Sequence, residues 1–328
     1  MTPLPSGDAD AARPAAAQAA GWSGCGAPPM MPPMSTGPKE VQIDRKPFDG
    51  EMYDVMGGAA RWEVKVHDHG LVALVDVMPR FAPAGKTADY AIVQAARVSY
   101  GEGTKKVNED RGLIRYLARH RHTTPFEMVE FKFHHVMPIF VARQWIRHRT
   151  ANVNEYSARY SVVRDRFYHP SLENVRKQSA SNRQGGDEPM DPVTAAEFLD
   201  YLDDIERGYA RYEQFLEKGV AREIARIALP ASVYTEWYWK IDLHNLFHFL
   251  SLRMDEHAQQ EIRDYANAMF ALVQPIVPIA AEAFLDYNFG SLHLSRLEVE
   301  AVRSGKPLAS ENKRENAEWE EKKNKLGL

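Results

Sequence analysis

The sequence predicts an α+β fold from three observations: an apolar run at Gly70–Met78, a two-residue alternation over Phe126–Val136, and a larger number of segments with helical apolar spacing. The first strand ends at Pro79, which has no N–H to give a ladder. Helical spacing follows over Asp89–Val98 and Asn108–Arg119, where Leu113, Ile114 and Leu117 share a face. In the alternating strand Val129, Phe131 and Phe133 point one way and Glu130, Lys132 and His134 the other. Pro138 opens a helix through Phe140, Ala142, Trp145 and Ile146 that runs into Arg147, His148 and Arg149. Lys177–Pro192 is polar, contains Gly and is expected to be a mobile loop. Beyond it come a long amphipathic helix over Thr194–Leu216, a short helix to Leu229, and an aromatic, β-branched run at Ser232–Lys240, read as a strand or an irregular buried segment. Asp242 is a candidate cap for a helix to Met254, and two further helices end near Val273 and Tyr287.

Three regions follow from composition. Residues 1–40 are rich in Ala, Pro, Gly and Met and are expected to form a disordered extension, because little apolar surface is available to offset ordering entropy. Residues 41–296 form the folded body. Residues 297–328, dominated by Glu, Lys, Arg and Asn, lack an apolar stripe and read as a peripheral charged tail.

The chain has 328 residues and a formal charge of −4, which argues against a protein that coats polynucleotide. Its one cysteine, Cys25, excludes an intrachain disulfide framework and a multi-thiolate zinc site, and its Pro/Ala/Gly surroundings offer nothing to activate a thiolate. No window is apolar enough to span a bilayer and no secretory signal is expected, so the default location is the cytoplasm.

The densest chemistry lies in Gln144–Tyr160. Arg147, His148 and Arg149 arrive at a helix C-terminus, and Asn154, Glu155, Ser157 and Arg159 follow. Solvated helix-end charges are the plain reading. The apolar Trp145 and Ile146 beside them favour a phosphorylated, hydrogen-bonding ligand, since Arg forks bind phosphate while Asn, Ser and Glu read an amide-like base edge. Arg119–Glu127 forms a second basic cluster, which alone reads as a surface turn. His244 and His248 are four apart on one helical face, a metal pair or two core histidines; no His has Glu three residues before it, and no metal is expected. Arg253 shares a helix with Leu246, Phe249 and Leu250 and needs either a carboxylate or a bound anion. A nucleotide- or RNA-binding module and a His244/His248 metallohydrolase remain as alternatives to an enzyme acting on a nucleotide.

Arg147-His148-Arg149 followed after seven residues by Ser157 resembles the Arg-His-Arg-x7-Ser signature of the flavin-dependent thymidylate synthases. The resemblance extends through Ala96-Arg-Val-Ser99-Tyr100, His122-Thr-Thr124-Pro-Phe-Glu127, Phe140-Val-Ala-Arg-Gln144-Trp, Ala225-Arg226-Ile-Ala-Leu-Pro230, Leu252-Arg253 and His257-Ala-Gln-Gln-Glu261-Ile, and spans about Gly70–Phe289.

The resemblance implies a small β-sheet packed with several helices, assembled as a homotetramer whose active sites lie where subunits meet. It implies conversion of dUMP to dTMP with 5,10-methylenetetrahydrofolate as carbon donor, FAD as cofactor and NADPH as reductant. By the same resemblance Ser99, Arg147, His148, Arg149 and Glu155 contact FAD, and Thr124 contacts a flavin phosphate from a neighbouring subunit. Asp242, Leu243, His244 and His248 are further flavin contacts, although many members carry Asn where Asp242 and His248 stand. Gln144, Arg147, Glu155, Tyr156, Ser157, Ala158, Arg159 and Arg226 form the dUMP set, Arg253 activates the uracil, and His122 lies beside the flavin. A guanidinium fits the activating role physically. Methylation at C5 needs electron density there, and with Cys25 confined to the extension the covalent thiolate route is closed, which leaves electrostatic stabilisation of charge at N3 and O4.

Overall fold

Alternating side chains in two long strands build the centre of the protein. In the computed structural model, which describes residues 50–99, 110–179 and 185–328, the strands are β1 (Met52–Asp54), β2 (Trp62–Val66), β3 (Gly70–Met78), β4 (Phe81–Pro83), β5 (Glu130–Pro138), β6 (Asn152–Glu155), β7 (Arg176–Gln178), β8 (Gly186–Pro189) and β9 (Tyr234–Asp242). The helices are α1 (Asp89–Val98), α2 (Asp110–Arg119), α3 (Thr124–Glu127), α4 (Ile139–Trp145), α5 (Pro192–Glu206), α6 (Tyr209–Glu217), α7 (Arg222–Ala225), α8 (Leu243–Arg253), α9 (Gln260–Val273), α10 (Pro278–Phe284), α11 (Arg296–Ser304) and α12 (Lys313–Leu326). The mixture is α+β, as expected. Asp49–Leu328 makes one compact unit, and the 1–40 extension with Cys25 lies outside the described residues.

Five strands lie side by side in the order β2-β3-β5-β9-β6, every neighbouring pair antiparallel. Phe131 and Phe133 of β5 and Trp237, Trp239 and Ile241 of β9 are buried on one face, in the two-residue rhythm of a half-buried sheet. Trp145 of α4 lands on that face, edge-on to Trp237 at 5.9 Å and to Trp239 at 5.5 Å, with Phe249 of α8 at 4.7 Å. Edge-to-face pairs of this kind add ~0.5–1.5 kcal/mol each beyond area burial. Where α9 crosses the start of β3, a Cβ on Gly70 would sit 2.1 Å from the Tyr265 hydroxyl oxygen, so only glycine fits. The buried Asp89 accepts the Ile279 and Ala280 backbone N–H groups at 2.9 and 3.0 Å, capping α10 from α1.

Several expectations are corrected. The strand expected from Phe126 begins at Glu130, because Pro125 opens the helical turn α3 and Phe126 enters the core from it. The Thr194–Leu216 helix breaks at Arg207 and Gly208 into α5 and α6; its apolar spacing continues through the break and hides it. The segment expected as a loop at Lys177–Pro192 contains paired strands, β7 and β8, with Arg176 opposite Pro189 and Gln178 opposite Gly186, while 180–184 lie outside the described residues. β6 has no apolar alternation in the sequence and is a strand through its pairing with β9. Residues 297–328 form the helices α11 and α12, and the second docks after all: Trp319 is 4% exposed, and Lys322 reaches the buried Glu298 of α11 at 2.8 Å. One tryptophan supplies an apolar anchor that a stripe criterion misses.

Candidate functional site

The site grows from the end of α4. Trp145 fixes this end in the core, and the chain then releases Arg147 and Arg149 to the surface with His148 half-buried between them. The His148 N–H donates to the Trp145 carbonyl at 3.0 Å. Neither Arg147 nor Arg149 has a carboxylate partner among the described residues. The chain then enters β6, whose four residues are exposed and pair with β9, Glu155 opposite Trp237. The Glu155 carboxylate accepts the Thr235 hydroxyl at 2.6 Å, and the Tyr156 N–H donates to the Glu236 carbonyl at 2.8 Å. These bonds hold the strand's end against β9.

A tight turn follows. The Ser157 carbonyl accepts the N–H groups of Tyr160 and Ser161 at 3.0 and 3.1 Å, and its Oγ accepts the Arg159 N–H at 3.3 Å. Arg159 pairs with Glu223 at 3.3 Å, and Arg222 donates to the Tyr160 carbonyl at 3.2 Å, which brings α7 against the turn. Arg226 lies one step further, half-buried and without a carboxylate partner among the described residues. Ala158 packs on the small core around Val163, Phe167, Tyr209, Tyr212 and Val233.

The second wall is α8, which leaves β9 directly. Asp242 caps it, accepting the Asn245 N–H. Leu243 is fully buried and its N–H donates to the Val129 carbonyl at 2.8 Å, so its side chain and N–H are committed within the fold. His244 is half-buried and His248 exposed. At the helix's last turn Arg253 donates from Nε to His148 Nε2 at 3.1 Å. Burial lowers the Arg253 pKa, though a guanidinium remains charged. It has no carboxylate partner among the described residues. The His148 ring stands edge-on to Phe249 at 4.9 Å and to His248 at 6.0 Å. Burial, reinforced by the nearby Arg253 and His248, pushes its pKa down to about 4, so the imidazole is neutral at pH 7 and free to accept.

Gln144 donates its side-chain amide to Gln259, the residue preceding α9. The sequence points to no role for Gln259, because its link to α4 crosses elements and leaves no local signal. Thr235 was missed for the same reason. Ser99 at the end of α1, His122 and Thr124 are exposed, and the His122 ring stacks near Tyr116 at 6.1 Å. Among the described residues no hydrogen bond or ion pair joins these three to Arg147–Arg159 or Arg253. Among the described residues the group of metal-ligating type that the fold gathers is His169, Asp203 and Glu206, and it does not contain His244 or His248.

The family model described as thymidylate synthase complementing protein matches residues 80–279. A flavin-dependent thymidylate synthase of Dictyostelium discoideum is 70% identical over 287 residues, 88% of this chain and 95% of that protein. The chain belongs to the flavin-dependent thymidylate synthase family. A flavin-dependent thymidylate synthase from Wolbachia pipientis is 56% identical over 74% of this chain and 82% of its own length. A solved UMP/dUMP methylase, PolB from Streptomyces cacaoi bound with 5-Br UMP, aligns with TM-score 0.59 and 32% identity over 69% of this chain and 98% of that one. The same protein bound with 5-Br dUMP aligns at TM-score 0.58 and 33% identity over 69% of this chain and 99% of that one. The donor set here fits the ligands of a flavin-dependent thymidylate synthase: the guanidiniums of Arg147, Arg149, Arg226 and Arg253, without carboxylate partners among the described residues, suit phosphate groups and an electron-rich base.

Proposed function

We propose that this chain converts dUMP to dTMP, taking its one-carbon unit from 5,10-methylenetetrahydrofolate and using FAD with NADPH as reductant. The observation that carries the reading is Arg253: a half-buried cation at the end of α8, tied to a neutral His148 and facing no carboxylate among the described residues. A charge in that state is left for a ligand to satisfy.

Arg147, Arg149 and Arg226 supply charge for phosphates, Tyr156, Ser157, Ala158 and Arg159 lie at the turn that would read the nucleotide, and Gln144 would join them from α4. Arg253 stabilises negative charge developing on the uracil N3 and O4 as C5 becomes nucleophilic, without a thiolate. Bound flavin supplies the electrons that reduce the transferred carbon to a methyl group. Arg147, His148, Arg149, Glu155 and His244 are the residues that would hold it, together with the exposed Ser99, His122, Thr124 and His248. Ser99, His122 and Thr124, exposed and joined by no hydrogen bond or ion pair to Arg253 among the described residues, support a homotetramer whose sites combine residues of neighbouring subunits. Among the described residues no helix is long and apolar enough to cross a membrane, and we assign the enzyme to the cytoplasm.

The test is anaerobic mixing of reduced holoenzyme with dUMP and methylenetetrahydrofolate. dTMP forms if the reading is right. Protein that stays colourless near ~450 nm with added FAD, where bound isoalloxazine absorbs, overturns it.

A further inference from the structure

We propose that His148 is a positioning residue for Arg253: its unprotonated Nε2 takes the guanidinium Nε–H and thereby fixes the fork so that both Nη groups serve the uracil. This rests on the reading of Arg253 given above and assigns the histidine a task separate from touching the flavin. Arg253 Nε lies 3.1 Å from His148 Nε2, while its Nη atoms have no hydrogen-bond partner among the described residues.

An arginine carries five N–H donors in one plane, so holding Nε orients the other four at once. A carboxylate in the same place would also hold Nε, but it would neutralise the charge that the reaction needs. A neutral imidazole fixes direction and leaves the charge in place. The surroundings keep it neutral: Phe249 covers the ring edge, Arg253 and His248 face it from α8, and Arg147 and Arg149 flank it in sequence. Every charged or titratable neighbour among these is cationic or becomes so, and each opposes a proton on the ring. The main chain that carries the ring is held as well: the His148 backbone N–H donates to the carbonyl of the buried Trp145 at 3.0 Å. The core thus sets the acceptor's position, and the acceptor sets the guanidinium's.

The experiment compares His148→Leu, which removes the acceptor, with His148→Gln, whose amide oxygen can accept from Nε, in FAD-loaded enzyme with flavin content measured by absorbance. Expected is a kcat loss of roughly 10²-fold in His148→Leu with flavin retained, the scale set by misplacing a reacting group by an ångström, and recovery of most of that rate in His148→Gln. The Arg253→Ala effect should shrink in the His148→Leu background, since the two act as a unit. Wild-type kcat in His148→Leu while Arg253→Ala is inactive overturns the positioning role. So does flavin loss in both His148 variants that excess FAD fully rescues, which marks a cofactor contact alone. Full turnover in Arg253→Ala instead removes the underlying reading of Arg253.

Discussion

The Asp242 carboxylate accepts the Asn245 backbone N–H at 2.9 Å and its side-chain amide at 2.6 Å. Both oxygens are used where β9 turns into α8, which gives the acid a structural task at a position expected to contact flavin. Asn and Asp are about equally good helix caps. Asp242→Ala should therefore lose about 1 kcal/mol of stability, read as a lower urea midpoint at unchanged slope. Asp242→Asn should stay within a few tenths of a kcal/mol of the starting protein. A large shift in flavin absorbance with an unchanged midpoint would show that the carboxylate serves the cofactor instead.

The β9–α8 junction was legible because its signals are local: an aromatic alternation, then a capping acid, then an apolar helix face. β6 was not, because Asn152–Glu155 has no buried member and is a strand only through its pairing with β9. The Arg-His-Arg segment and Arg253 were each legible as chemistry, yet the bond between His148 and Arg253 spans 105 residues and could not be read from either stretch. His169 with Asp203 and Glu206 is likewise a product of the fold. Trp319 shows the limit of a periodicity criterion, which needs several apolar residues where one large ring is enough.

Arg253→Ala should lower kcat/KM by at least ~3 kcal/mol of transition-state stabilisation, comparable with deleting an oxyanion-type donor. Arg253→Lys should recover little, because an ammonium cannot both donate to His148 and present a planar pair to the base. Cys25→Ser should leave turnover intact. Steady-state rates of dTMP formation check all three, and a large loss in Cys25→Ser would restore a thiolate route.

Trp319→Ala should release α12. The ring is 4% exposed on a helix otherwise covered with charge, so it supplies most of the apolar surface that holds the helix, and large-to-small changes at such sites cost ~3–5 kcal/mol. Hydrogen exchange should then speed up across Lys313–Leu326 while amides of β5 and β9 keep their protection. Uniform acceleration would mean that the helix is integral to the central core.

Acid should destabilise the protein through buried neutral histidine. His135 is fully buried, its Nδ1 accepts the Trp237 indole N–H at 3.2 Å, and burial pushes its pKa far below the ordinary 6.5. Below pH 6.5 the unfolded chain takes up a proton that the folded chain refuses, so stability falls as pH drops, approaching ~1.4 kcal/mol per pH unit for one such group. His148 acts in the same sense between pH 6.5 and about 4. Asp89 acts oppositely, since burial raises its carboxyl and the folded state then favours the proton. Comparison of variants therefore isolates the histidine better than the raw slope does. His135→Phe should begin less stable, because the Trp237 N–H loses its acceptor, yet its urea midpoint should decline less between pH 7 and 5 than that of the unaltered chain. Parallel declines in the two proteins would mean that His135 is protonated in the folded state or that other groups govern the acid response.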